Sequence, residues 1–206
     1  MKLLLIDGHA LAFRSYYALI RAPLTNSAGE NTSAEFGFLR TLLALRREQQ
    51  PDAVFIAFDP PGGSFRHQRY AEYKAKRAAT PPELKASVER LQAFLPLAGI
   101  AHEARPGYEA DDLIASAARQ AAAAGWQVLI ASADKDLCQL VDENIRVLRP
   151  ASGAKPAREL GPREVETEFG VPPAKLRDYL SLTGDDSDNV PGVPGLGPKG
   201  SAKLLA

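Results

Sequence analysis

Carboxylates stand where the predicted strands end. Asp7 follows an apolar run at residues 2–6, Asp59 follows a second at 53–58, and Asp134 lies just past a later one at 127–131. Glu109, Asp111 and Asp112 sit where a helix begins after a strand signal at 100–104, with 109 and 112 at i,i+3 spacing on one face. Asp136 pairs with Asp134, and Asp185, Asp186 and Asp188 form a further group. Ligands of open α/β sheets bind beyond the carboxyl ends of the strands, so these acids converge on one edge. A helix N-terminus offsets part of their repulsion. A set this dense still raises its own pKa values and destabilises the fold unless a cation sits among it. Oxygen-only ligands favour Mg²⁺ or Mn²⁺ over zinc. Two such ions a few ångström apart form the usual apparatus for in-line hydrolysis of a phosphodiester. Taken singly, Asp134 or Glu109 also fits a helix cap; the whole set does not.

A basic stretch follows Asp59. Between residues 60 and 80 the basic residues are Arg66, Arg69, Lys74, Lys76 and Arg77, against the single acid Glu72. Phe65, Tyr70 and Tyr73 interleave with them, a mixture that neutralises phosphates and stacks on unpaired bases. A surface helix packing its aromatics inward fits the same stretch, but its place beside the acidic edge favours nucleic acid. Near the other end, PGVPGLGPK (191–199) contains Gly195, Gly197 and Gly200, a literal G-x-G-x-x-G. No strand precedes it, so the dinucleotide interpretation fails on context. A glycine turn between short helices instead exposes backbone N–H groups to a phosphate.

Positioning these residues requires strands and helices in alternation. Strands are expected at residues 2–6, 53–58, 100–104, 127–131 and 145–148, and helices at 10–20, 32–48, 80–98, 109–124, 135–141, 162–169 and 174–183. Thr32 with Glu35, and Thr80 with Glu83, have capping-box spacing, and Pro82 suits a first helical turn. Such alternation predicts an α/β fold, a mostly parallel central sheet with helices on both faces. Residues 1–160 are expected to form this core and 161–206 a helical region, with 201–206 reading as a helix that has only begun.

Composition bounds the alternatives. Of 206 residues, 45% are apolar and 24% charged, which excludes a disordered or collagen-like chain. No apolar run approaches the ~20 residues of a membrane span. Asp7 falls where a signal peptide would still be apolar, so a soluble cytoplasmic protein is expected. One cysteine, Cys138, excludes an intramolecular disulfide and a cysteine-based zinc site and reads as core. His9, His67 and His102 form no ligand set by spacing. Net charge is zero, with 25 basic and 25 acidic residues, but the signs are segregated along the chain.

The segments LLLIDGHALAFRSYYAL (3–19), FDPPGGSFRHQRYAEYKAKR (58–77), GYEADD (107–112), ASADKDLCQL (131–140) and TGDDSDNVPGVPGLGPKG (183–200) together resemble the 5′-nuclease domains of bacterial DNA polymerase I, within the flap endonuclease superfamily. The resemblance runs along essentially the whole chain. It implies a PIN-like or resolvase-like nuclease core with two metal clusters. The first matches Asp7, Asp59, Glu109 and Asp111, with Asp112 beside it; the second matches Asp134, Asp136, Asp185 and Asp188. Assigning these nine acids to metal leaves 16 acidic against 25 basic residues, which accounts for DNA binding by a neutral chain.

The resemblance further implies a helical arch near residues 65–80. There Lys74 and Arg77 act on the scissile phosphate, and Arg66, Arg69 and Tyr73 contact DNA. It also implies a helix–hairpin–helix in which Gly192, Gly195, Gly197 and Lys199 grip a duplex, with K⁺ on its backbone carbonyls. Gly200 and Ser201 stand where relatives have threonine and alanine, and Gly200 weakens the second helix by up to ~1 kcal/mol. Relatives continue for several more helices, so the chain reads as C-terminally truncated, with a polymerase portion following in a full-length protein. The expected activity is that of a 5′→3′ exonuclease and flap endonuclease on branched or 5′-flap DNA, using two Mg²⁺ or Mn²⁺ ions in primer removal and repair. A monomer without membrane contact is expected. Two alternatives stay open: a DNA-binding fragment with impaired catalysis, and a PIN-like ribonuclease. The latter leaves Asp185, Asp188 and the glycine turn without a role.

Overall fold

The structure, a computed structural model, describes residues 1–151 and 156–205. Its first strand, β1 (Lys2–Asp7), passes without a loop into α1 (Gly8–Ala18). The remaining elements are α2 (Ser33–Gln49), β2 (Ala53–Phe58), α3 (Phe65–Arg69), α4 (Pro82–Leu97), β3 (Ala101–Ala104), α5 (Ala110–Ala123), β4 (Gln127–Ala131), a 3-10 turn (Asp136–Leu140), β5 (Ile145–Arg149), β6 (Arg158–Leu160), α6 (Pro162–Phe169), α7 (Pro173–Thr183) and α8 (Pro198–Leu205). The strands form one sheet in the order β3-β2-β1-β4-β5-β6. Every pairing is parallel except β5 with β6. The expected α/β class and mostly parallel sheet are what the chain adopts. Among the described residues no helix is long and apolar enough to cross a membrane.

Period-two alternation divides the core between the sheet's faces. Leu5, Ala57, Val128 and Ile130 point to the side covered by α5, α6 and α7, where Ile114, Val165 and Leu176 are buried. Leu4, Ile6, Ile56, Phe58 and Leu129 point to the opposite side, under α1, α2 and α4, with Phe38, Leu42, Leu84 and Leu91. Strands buried on both faces read as continuous apolar runs, which is why β1, β2 and β4 were visible in the sequence. The three-residue β6 carries no such run and was not anticipated.

Local details differ from the sequence expectation. Neither capping box forms. Thr32 and Pro81 precede α2 and α4 without side-chain caps. Glu35 instead pairs with Arg90 at 2.5 Å, and Glu83 accepts a hydrogen bond from the Tyr16 hydroxyl. Tertiary partners on neighbouring helices outcompete the local cap. α8 begins at Pro198, three residues earlier than expected, because proline's fixed φ suits a first helical turn. Ala206, the end of the expected final segment, lies outside the described residues.

The junction of β1 and α1 depends on Gly8. A Cβ there would fall 2.5 Å from Cε1 of Phe58, whose ring is fully buried. Gly8→Ala is therefore expected to destabilise the protein by about 1–3 kcal/mol through overpacking. Urea unfolding of Gly8→Ala, Phe58→Leu and the double variant checks this, and the two effects should be strongly non-additive. Additive costs would mean that the two sites do not press on one another.

Candidate active site

The junction that requires Gly8 also aims Asp7. Its carboxylate is the N-cap of α1, accepting from the Ala10 amide at 2.9 Å. Asp59, one residue past β2, accepts from the Ala110 amide at 2.8 Å and so ties β2 to the start of α5. Asp111 lies in the first turn of α5. Asp134, past β4, accepts from the Asp136 amide at 2.8 Å. Burial, and then repulsion from Asp59 and Asp134, push the Asp7 carboxyl up to about 7. Burial, followed by Asp7, Asp134 and Asp59, pushes Asp111 up to about 8. These four acids repel one another across the ends of three neighbouring parallel strands.

A second group lies beside them. One carboxylate oxygen from each of Asp136, Asp185 and Asp188 falls within 4.8 Å of the others. Burial, then Asp134, pushes Asp136 up to about 6. Asp134 thus acts on both groups, joining the edge of the sheet to the loop after α7. That loop is held by a close backbone crossing. Gly184 has φ +75°, and a Cβ on it would lie 2.3 Å from the Gly192 nitrogen. A cleft of about 630 Å³ lies over the second group and reaches Asp111 of the first; Arg66, Tyr73, Glu109, Asp136 and Asp185 are among the residues that line it.

The donor set fits divalent cations. Asp111 and Asp136 each keep a buried Oδ1 with no hydrogen-bond partner. Orphaned carboxylate oxygens of this kind are costly to bury unless something positive meets them. All the donors are oxygen, as hard cations require.

Other acids predicted for metal are engaged differently. Both oxygens of Asp112 are bound by Arg66 at 2.8 Å, and Oδ2 also accepts from the Glu109 amide at 2.9 Å. Burial acts to raise Asp112, but Arg66 and the Glu109 amide together hold the carboxyl below its ordinary value. Glu109, 6% exposed, accepts from Ser64 Oγ at 2.7 Å, Tyr73 Oη at 3.0 Å and Lys74 Nζ at 2.9 Å. These donors hold it low against burial. Lys135 pairs with Asp185 at 2.6 Å and, with Ser187, holds that carboxyl down to about 2 despite burial.

The expected arch takes another form. Only Phe65–Arg69 is helical, and the chain then folds in turns down onto the acids. The Lys74 amide donates to the Asp188 carbonyl at 2.9 Å, and Tyr70 Oη to the Asn189 carbonyl at 3.1 Å. Arg77 reaches Asp188 Oδ1 at 2.5 Å. Tyr73, expected to meet bases, is 7% exposed. Its hydroxyl bridges Glu109 and Asp188, at 3.0 and 2.9 Å, joining the two halves of the site. Its phenol fills a buried slot between acids, so no face is left for stacking. Arg66 is likewise bound to Asp112, whereas Arg69 is exposed. Gly195 (φ +82°) and Gly197 have open space around them, and Lys199 is exposed on the first turn of α8. Gly192 instead packs against Thr183.

Sequence reasoning missed several participants. Ser64 orients Glu109, Lys135 neutralises Asp185, and His9 Nδ1 accepts from the Asp59 amide at 3.0 Å. Lys135 was legible as a cation flanked by Asp134 and Asp136; Ser64 and His9 carried no local signal. Lys74 sits at φ +56°, a strained conformation for a side chain with a Cβ, and no pattern predicts it.

Residues 2–170 match the family model described as the 5′-3′ exonuclease N-terminal resolvase-like domain, and 171–206 match the 5′-3′ exonuclease C-terminal SAM fold. A 5′-3′ exonuclease of Aquifex aeolicus is 42% identical over 203 residues, covering 98% of this chain and 68% of that protein. DNA polymerase I of Deinococcus radiodurans is 48% identical over 98% of this chain. The chain spans 20% of that polymerase's length. Among solved structures, the T5 5′-exonuclease with bound zinc superposes with a TM-score of 0.79 at 21% identity, over 100% of this chain and 74% of that one. The catalytic core of Rad2 in complex with DNA substrate superposes at 0.63 and 18% identity, over 99% and 59%. Both likenesses are of fold.

In the absence of divalent ions Asp7, Asp111 and Asp136 lower stability as pH rises, while His9, held low by burial, acts in the opposite sense. The folded-state values of the three acids lie above the ordinary carboxylate range, so between about pH 4 and 8 the folded chain holds protons on them that the unfolded chain has lost. Stability from these acids is present at low pH and is lost as pH rises through about 6 to 8. The slope is at most about 1.4 kcal/mol per pH unit for each retained proton. Melting temperature in EDTA should fall from pH 5 to 8, and Asp111→Asn should make the fall shallower. A flat profile in both proteins would contradict the assigned burial and repulsion.

Proposed function

The chain belongs to the 5′-3′ exonuclease family, and we propose that it is a structure-specific 5′→3′ nuclease and flap endonuclease that hydrolyses DNA phosphodiesters at the carboxylate cleft. One observation carries this: acids from three parallel strand ends, α5 and the loop after α7 converge, with two buried oxygens unpartnered, under a strip of cationic side chains. Asp7, Asp59 and Asp111 would hold one divalent ion, with Glu109 beside them as the anchor of Ser64, Tyr73 and Lys74, and Asp136, Asp185 and Asp188 would hold a second, with Asp134 between the two. Ions of the magnesium or manganese type supply Lewis-acid neutralisation of charge on the reacting phosphate when bound there.

The remaining work falls to the protein's own side chains. Lys74, whose Nζ already lies among the acids, donates to a non-bridging phosphate oxygen and stabilises the charge that develops on it. Arg77, half exposed beside Asp188, makes the neighbouring contact. Tyr73 and Ser64 fix Glu109, and Arg66 keeps Asp112 in place as a strut of the α5 turn. Arg69, Lys199 and the open amides at Gly195 and Gly197 contact the phosphates of the same DNA, with Gly192 setting the turn, whose carbonyls would hold a potassium ion. Primer removal and repair are the processes such an activity serves.

A labelled 5′-flap substrate tests this. Asp7→Asn should abolish cleavage with Mg²⁺ while preserving the fold and flap binding in Ca²⁺. Cleavage within tenfold of wild type would remove Asp7 from the metal site. Lys74→Ala should lower the cleavage rate by on the order of 10²–10³ with a much smaller loss of affinity. Equal, modest losses in rate and affinity would reduce Lys74 to a phosphate contact. Cleavage of an RNA flap but not a DNA flap would favour the ribonuclease alternative.

A further inference from the structure

Phe65 and Tyr108 form an aromatic pair outside the carboxylate cleft. Their ring centroids are 6.1 Å apart in an edge-to-face arrangement. Three guanidinium groups surround the pair. Arg66 lies 4.7 Å and Arg69 5.8 Å from the Phe65 ring, and Arg105 lies 5.6 Å from the Tyr108 ring. Tyr108 is 47% exposed, and Arg69 and Arg105 are exposed too. Among the described residues neither Arg69 nor Arg105 is held in an ion pair. Tyr73 packs inward, whereas Tyr108 keeps its ring half in solvent beside Arg105 and is joined edge to face to a second ring that carries Arg69.

The pair is also rigidly placed. The Phe65 amide donates to the Gly107 carbonyl at 2.9 Å, and Ser64 and Gly107 form a parallel bridge. Ser64, preceding Phe65, donates its hydroxyl to Glu109, which follows Tyr108. Each ring thus belongs to a residue adjoining one partner of that buried hydrogen bond. Aromatic faces flanked by arginine are the elements that hold unpaired bases without regard to sequence.

We propose that the Phe65–Tyr108 pair, flanked by Arg69 and Arg105, seats one unpaired base of the DNA strand whose phosphate enters the carboxylate cleft. This rests on the nuclease function above and assigns residues to its preference for an unpaired arm. A base must be free of its complement to stack here, so the platform favours strands with a single-stranded arm over continuous duplex.

The test uses DNA carrying 2-aminopurine at successive positions of a 5′ arm, with blunt duplex for comparison, bound in Ca²⁺. The wild-type chain should prefer armed DNA and quench the probe at one arm position. Tyr108→Ala should lose that quench and bind armed DNA roughly tenfold more weakly, with duplex affinity unchanged. Tyr108→Phe, which keeps the ring, should retain both. Arg105→Ala should weaken armed binding and lower its salt dependence by about one phosphate contact. Wild-type preference and quench persisting in Tyr108→Ala would overturn the platform alone. Equal wild-type affinity for armed and blunt DNA would overturn the platform, whereas failure of the wild-type chain to cleave the armed DNA with Mg²⁺ would overturn the nuclease reading on which it rests.

Discussion

Like-charge repulsion at the carboxyl edge of a parallel sheet is the constraint on which the site depends. Parallel strands end together, so a carboxylate after each of β1, β2 and β4 meets its neighbours. Burial deepens the conflict, and Asp7 and Asp111 are pushed to about 7 and 8. No fold places such groups together for stability, because uncompensated buried charge works against it. The two well-packed cores, one on each face, tolerate the tension. The chemistry proposed for the acids with a cation accounts for their placement.

The protein answers part of that repulsion with its own cations. Arg66, Lys74, Arg77 and Lys135 each reach a carboxylate of the cleft. Three of the four come from one stretch after β2, folded over the site and pinned to the loop after α7 through Lys74 and Asn189. Tyr73 crosses the middle, with a hydroxyl shared between Glu109 and Asp188. Positive groups proposed to meet a phosphate are thus positioned by the acids beneath them. Positioning of this kind requires little reorganisation when substrate arrives.

Much of this was legible in the sequence, for identifiable reasons. β2 follows from an uninterrupted apolar run and β4 from the apolar residues 128–131, and Asp7, Asp59 and Asp134 from their place just after such runs. The side chains that share or divide the acids were less legible. Tyr73 looked like a stacking residue because aromatic and basic residues alternate around it, yet alternation says nothing about which ring turns inward. Asp112 has the same local context as Asp111; only the arrival of Arg66 from 46 residues away separates a strut from a candidate ligand. Glu35 and Glu83 had capping spacing, but helix-to-helix contacts claimed both. Long-range pairing decided each case, and no single-chain pattern encodes it.

Counting bound Mn²⁺ tests the account most directly. Electron paramagnetic resonance or calorimetric titration of the chain at neutral pH reports ions per molecule, with Asp111→Asn and Asp185→Asn as comparisons. Two sites are expected in the wild type, with Asp111→Asn weakening one and Asp185→Asn the other, and with Mn²⁺ raising the melting temperature in step with occupancy. Absence of Mn²⁺ binding, or two sites unaffected by either substitution, would contradict the claim that these acids converge to hold cations.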